Sequence, residues 1–76
     1  MSDAKSRDQI KRAEQLRQEV ARLAGEIAET EDKVASVRRR LATDDEARAA
    51  EHLRAAEEAE RFAAYEREEQ RRWQQP

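Results

Sequence analysis

The sequence predicts an all-α fold: an antiparallel two-helix hairpin of coiled-coil type that dimerises into a four-helix bundle. Three observations carry this expectation. A heptad repeat runs through the first half, a helix-start signal falls at residues 43–46, and an alanine-rich second half of nearly matching length follows it. The alternative is one long continuous coiled-coil helix, since no Gly or Pro forces a break near residue 43.

The chain has 76 residues, so it forms a single domain or a piece of one. Its apolar fraction is 37%, and 15 of those residues are alanine. The strong apolar anchors are few, and at about 25 cal/mol per Å² of buried apolar surface a lone chain is marginal. A second copy or another protein is therefore expected as partner. Ala, Glu, Arg and Gln dominate the remainder, all good helix formers, which opposes the disorder that 45% charged residues would otherwise suggest.

Helix one is expected over about residues 4–42. Ser6 followed by Gln9 fits a capping box, and Asp8 adds negative charge to the first turn. Ala13, Val20, Ile27, Val34 and Leu41 then occupy heptad position a, and Leu16, Leu23, Thr30 and Val37 occupy d. An apolar seam of period 3.5 stays in contact with a partner only when the helices supercoil. Gly25 falls at an outward position of this frame.

The turn is expected near residues 43–44. Thr43 can cap the backbone N–H three residues on, and Glu46 can reach back to complete a second capping box. Arg38, Arg39 and Arg40 would close the first helix, where cations are favoured. A frame continued past Leu41 would place Asp44, Arg48 and Glu51 in successive core layers, which opposes one unbroken helix.

Helix two, about 44–74, repeats in a different frame: Ala49, Leu53, Ala56, Glu60 and Ala63. Folding back at Thr43 puts Val34 near Leu53, Ile27 near Ala59, Leu23 near Phe62 or Ala63, Tyr65 near Val20 or Leu23, and Trp73 near Ile10 or Ala13. Large residues then meet alanines, and the axes can approach closely. The expected interface and core residues are Ile10, Leu16, Val20, Leu23, Ile27, Val34, Val37, Leu41, Leu53, Phe62, Tyr65 and Trp73. A parallel homodimer is disfavoured, because it would pair Arg12 with Arg17, Glu26 with Glu31, and Lys33 with Arg38.

Catalytic and metal chemistry find no support. There is no cysteine, a single histidine (His52) without the Glu three residues earlier that a carboxylate-bundle metal site needs, and a single glycine. His52 is expected at the rim. No catalytic residue, cofactor or metal is therefore expected. No stretch approaches the roughly 20 apolar residues of a membrane span, and a cytoplasmic setting is expected.

The function expected is a non-catalytic protein–protein interaction, scaffolding or oligomerisation module acting through the amphipathic seam. A nucleic-acid-binding hairpin is the alternative, with Arg38–Arg40 and Arg71-Arg72-Trp73 as the contacting residues. The net charge of −2, and the acids flanking both basic clusters, oppose it. Tyr65-Glu66-Arg67-Glu68-Glu69 matches Tyr-x-x-x-Glu, and so resembles the type VII secretion signal of small helical-hairpin substrates. The Trp-x-Gly turn of that family is absent, the expected turn here being Thr43-Asp44-Asp45. The resemblance implies a secreted helical substrate as a further alternative.

Overall fold

Helix-forming composition gives long helices here, and a single residue between them sets the fold. The computed structural model describes residues 2–75. Helix α1 spans Ser2–Asp44, a 3-10 turn spans Glu46–Arg48, and helix α2 spans Ala49–Gln74. The two helices lie side by side and antiparallel, giving a rod with Cα extents of 68 × 13 × 11 Å. The hairpin expectation holds, and the continuous helix is excluded.

The break lies later than the capping pattern indicates. Asp45 makes the break, at φ −126° and ψ 86°, and Arg48 departs from α-helical geometry again at φ −112° and ψ 12° before α2 begins. Its N–H donates to the Leu41 carbonyl at 2.8 Å, and the Arg48 N–H donates to the Asp45 carbonyl at 3.2 Å. Thr43 is not a cap: it sits in the last turn of α1, where its hydroxyl donates back to the Arg39 carbonyl at 3.3 Å. A threonine bonded to the carbonyl four residues back is satisfied within the helix and has no reason to end it. Glu46 opens the 3-10 turn instead of reaching back to Thr43, and Asp45 makes no side-chain cap bond. Ser6 lies inside α1, because the helix already starts at Ser2.

The later turn slides the pairing by about two helical turns, so that Ala59 meets Ala35 rather than Ile27. Trp73 lines a groove with Glu14, Arg17 and Gln18, not with Ile10 or Ala13. Trp73 also lines a groove with Val20, Leu23 and Ala24, so α2 ends level with about residue 20, and the first part of α1 runs on alone. Ile10 and Leu16 are accordingly 60% and 66% exposed. At 1.5 Å per residue this single-helix extension is about 27 Å long.

The packing between the helices is the main correction to the sequence reading. Among the described residues the buried apolar ones are all alanines: Ala21, Ala24, Ala28, Ala35, Ala56, Ala59 and Ala63. On α1 they lie beside the a and d positions, spaced by three, four and seven residues, and so form a second heptad seam. On α2 the seam is His52, Ala56, Ala59 and Ala63. The expected partners Leu53 and Glu60 stand outside it. Methyl groups on both sides let the axes come close, and each buried methyl contributes about 0.8 kcal/mol against 1.5–3 for a large side chain.

Gly25 also differs from expectation. It is half-buried, and a Cβ built there would meet Gln70 Nε2 at 2.6 Å and Cδ at 3.1 Å. Those atoms are the movable end of a long side chain and can swing away.

Two measurements follow from this packing. Ala56, 0% exposed, has no room for growth, so Ala56→Leu is expected to lower the free energy of unfolding by about 1–3 kcal/mol in a thermal melt. Gly25→Ala is expected to raise stability by about 0.5–1 kcal/mol through helix propensity, since only Gln70 must move. A fall in melting temperature would place Gln70 as a fixed part of the seam.

Candidate protein-interaction surface

Because the alanine seam claims the line between the helices, the large side chains are turned outward. Each of the twelve expected interface residues is at least 37% exposed. Within one chain they do not form a core, which corrects the expectation that α1 turns its large residues toward α2. The reason lies in helix geometry: a residue next to a seam position is rotated about 100° around the axis.

Most of them nonetheless share one flank. Val20, Leu23 and Ile27 of α1 line a single groove with Tyr65, Glu66, Glu69 and Trp73 of α2. Phe62 and Tyr65 line a second groove with Glu58 and Arg61 on the same side of α2. Val34 and Val37 continue the α1 side, beside Thr30 and Lys33. Leu16 and Leu41 prolong the same a/d row toward its ends. Leu53 is the exception. It precedes Glu60 by one heptad and lies on the opposite flank with Glu60 and Arg67, while Ile10 lies beyond the end of α2.

The opposite flank is held by charge. Arg39 Nε donates to Glu60 Oε1 at 3.0 Å, and Arg67 donates to Asp32, so two ion pairs cross from helix to helix. The hydrogen bond to Asp32 pushes the Arg67 guanidinium above its ordinary pKa. These side chains are each more than 40% exposed, so the pairs are screened by solvent and set alignment more than stability. Along α1, Arg22 holds both Glu19 and Glu26, chiefly Glu19, which raises its pKa. Arg71 holds the Glu68 carboxyl below the usual carboxylate range, and that favourable pairing is lost as pH falls through the lowered value.

His52 is not at a rim. It is 8% exposed, and its Nδ1 lies 3.0 Å from Arg38 Nη1. With Arg38 donating, Nδ1 is the acceptor and the ring proton is on Nε2. A histidine standing in an alanine seam gave no local sign of this, although its spacing of four and seven residues from Ala56 and Ala59 could have indicated it.

The two basic clusters are not brought together. Arg38 is engaged with His52, Arg39 with Glu60, Arg71 with Glu68 and Arg72 with Glu69. Arg38–Arg40 lie near the turn, whereas Trp73 lies level with residues 14–20 of α1, on the order of 30 Å away at 1.5 Å per residue. Among the described residues no helix is long and apolar enough to cross a membrane.

The fold and surface thus define a class: an alanine-seamed helical hairpin with an apolar flank left open. Comparison with known proteins adds no relative: no family profile matches the chain, and no curated protein or solved structure gives a significant match.

Two adjacent residues separate the seam from the flank. At concentrations where the chain is monomeric, Ile27→Asp is expected to leave the circular-dichroism helix signal within about 10% of wild type, whereas Ala28→Asp buries a charge and removes most of it. Equal losses at the two positions would refute the assignment of the two faces.

Proposed function

We propose that the protein is a non-catalytic interaction and oligomerisation module, and that the open flank of the hairpin is its docking surface. The observation that carries this reading is the outward placement of Val20, Leu23, Ile27 and Val34 together with Phe62, Tyr65 and Trp73. A monomer seldom leaves large apolar side chains in a continuous row, and such rows mark surfaces that another molecule covers. The hairpin's own interior supports the same reading, since seven alanines bury little surface for a rod this long.

The mechanism is partner selection. The apolar row supplies affinity, and the charges beside it, Glu19, Glu26, Lys33 and Arg40 on α1, discriminate between partners by sign. Of the basic clusters, Arg38, Arg39, Arg71 and Arg72 are engaged within the chain with His52 or an acid, and Arg40 borders the apolar row.

Photo-cross-linking in the expressing cell tests the surface. A benzophenone side chain at Ile27 is expected to give a discrete protein adduct, and one at Ser36, which shares the flank of Asp32 and Arg39, is expected to give none. Absence of an adduct at Ile27, or equal adducts at both positions, would refute the docking role of the flank.

A further inference from the structure

The charges bordering the open flank form a pattern that a second copy of the same chain satisfies. Reversing α1 about a point between Ala28 and Glu29 sets Leu16 on the partner's Leu41, Val20 on the partner's Val37, and Leu23 on the partner's Val34. Ile27 then meets the partner's Thr30, whose hydroxyl is already satisfied by the Glu26 carbonyl at 3.0 Å and so enters an interface without an unpaired donor. On the bordering row, Glu26 falls beside the partner's Lys33 and Glu19 beside the partner's Arg40, and symmetry repeats both pairs. A slip of one heptad either way breaks this. One slip keeps Glu19 beside Lys33 but sets Glu26 against Glu26 and Arg12 against Arg40. The other keeps Glu26 beside Arg40 but sets Lys33 against Lys33 and leaves Glu19 unpaired. Only the unslipped alignment has no like-charged pair in this row.

Helix α2 gives the same two-fold point independently. The approach of Gly25 to Gln70, and of Ala35 to Ala56 and Ala59, puts Tyr65 level with residues 28–29 of α1. About Tyr65 the outward row of α2 is self-complementary: Glu58 opposes the partner's Arg72, Arg61 opposes the partner's Glu69, and Tyr65 opposes its own copy. A two-fold axis along the rod would instead lay α1 over the partner's α2. That brings Glu26 to the height of Glu69, Lys33 to that of Arg61, and Arg40 to that of Arg54, all like-signed. The paired stretch, residues 16–41, is about 39 Å long, and two helices are about 20 Å wide. The area, about 800 Å² per chain, is that of a standard stable interface.

We propose that the open flank is occupied by a second copy of this chain. The two hairpins stack face to face about a two-fold axis perpendicular to the rod, with α1 antiparallel on α1 and α2 antiparallel on α2. This rests on the reading of the flank as a docking surface and names its partner and alignment.

Charge reversal with rescue, read by sedimentation equilibrium on the full chain, tests it. Glu26→Lys and Lys33→Glu are each expected to weaken the dimer about tenfold, and the double variant to restore it to within about threefold of wild type. Tyr65→Cys, placed on the two-fold axis, is expected to oxidise to a disulfide-linked dimer, whereas Leu53→Cys on the opposite flank is not. Helicity by circular dichroism confirms that each variant folds. A dimer that the double variant fails to restore, or that Tyr65→Cys fails to link, overturns the alignment. A wild-type chain that stays monomeric at about 100 μM, well above the Kd range of a standard interface, overturns self-pairing. In that case an Ile27 adduct with a different protein would leave the docking role of the flank standing.

Discussion

The close approach of the two helices through small side chains is the constraint on which the rest of the molecule depends. Ala21, Ala24, Ala28 and Ala35 of α1 and Ala56, Ala59 and Ala63 of α2 are the buried apolar residues among those described. Ala35 packs on Ala56 and Ala59, and Ala24 lies beside the Glu66–Trp73 end of α2. Such a seam has room for methyl groups and little else, so every bulkier apolar residue is displaced to the sides. The cross-helix ion pairs of Arg39 with Glu60 and Arg67 with Asp32 then line one side and leave the other to the large residues. The position of the open flank is thus a consequence of which residues are small.

Helix α1 consequently carries two heptad seams next to each other. The alanine seam closes the hairpin, and the seam of Leu, Val and Ile is left for another molecule. The division separates folding from association: the first depends on steric fit, the second on buried area and on the signs of bordering charges. A hairpin held mainly by methyl contacts is weak alone, so covering the second seam stabilises the first by mass action.

The helices, their antiparallel order and the large-residue seam were legible in the sequence, because a 3.5-residue apolar period and strong helix formers leave few alternatives. The direction of that seam was not. Alanine is a good helix former in any environment, so Ala21, Ala24, Ala28 and Ala35 read as filler although their spacing is that of a seam. The turn was misplaced because Thr43 with Glu46 matches a capping box, while its hydroxyl has an equally good acceptor in the Arg39 carbonyl. That displacement propagated into the pairing of Trp73 and hid the end of α2. His52 was misplaced because nothing in its neighbours distinguishes a buried imidazole from a solvated one.

The stretch of α1 that outruns α2 has a consequence of another kind. Its backbone hydrogen bonds are shielded by no neighbouring helix, and a single helix of this length is near its coil–helix midpoint in water. Lys5, Arg7, Lys11 and Arg12 all fall there, each a cleavage point for a trypsin-like protease that needs an extended chain. A protease would cut within this unpaired stretch first and leave the alanine-seamed pair whole. The described chain thus divides into a two-helix stretch that resists local opening and a one-helix stretch that does not.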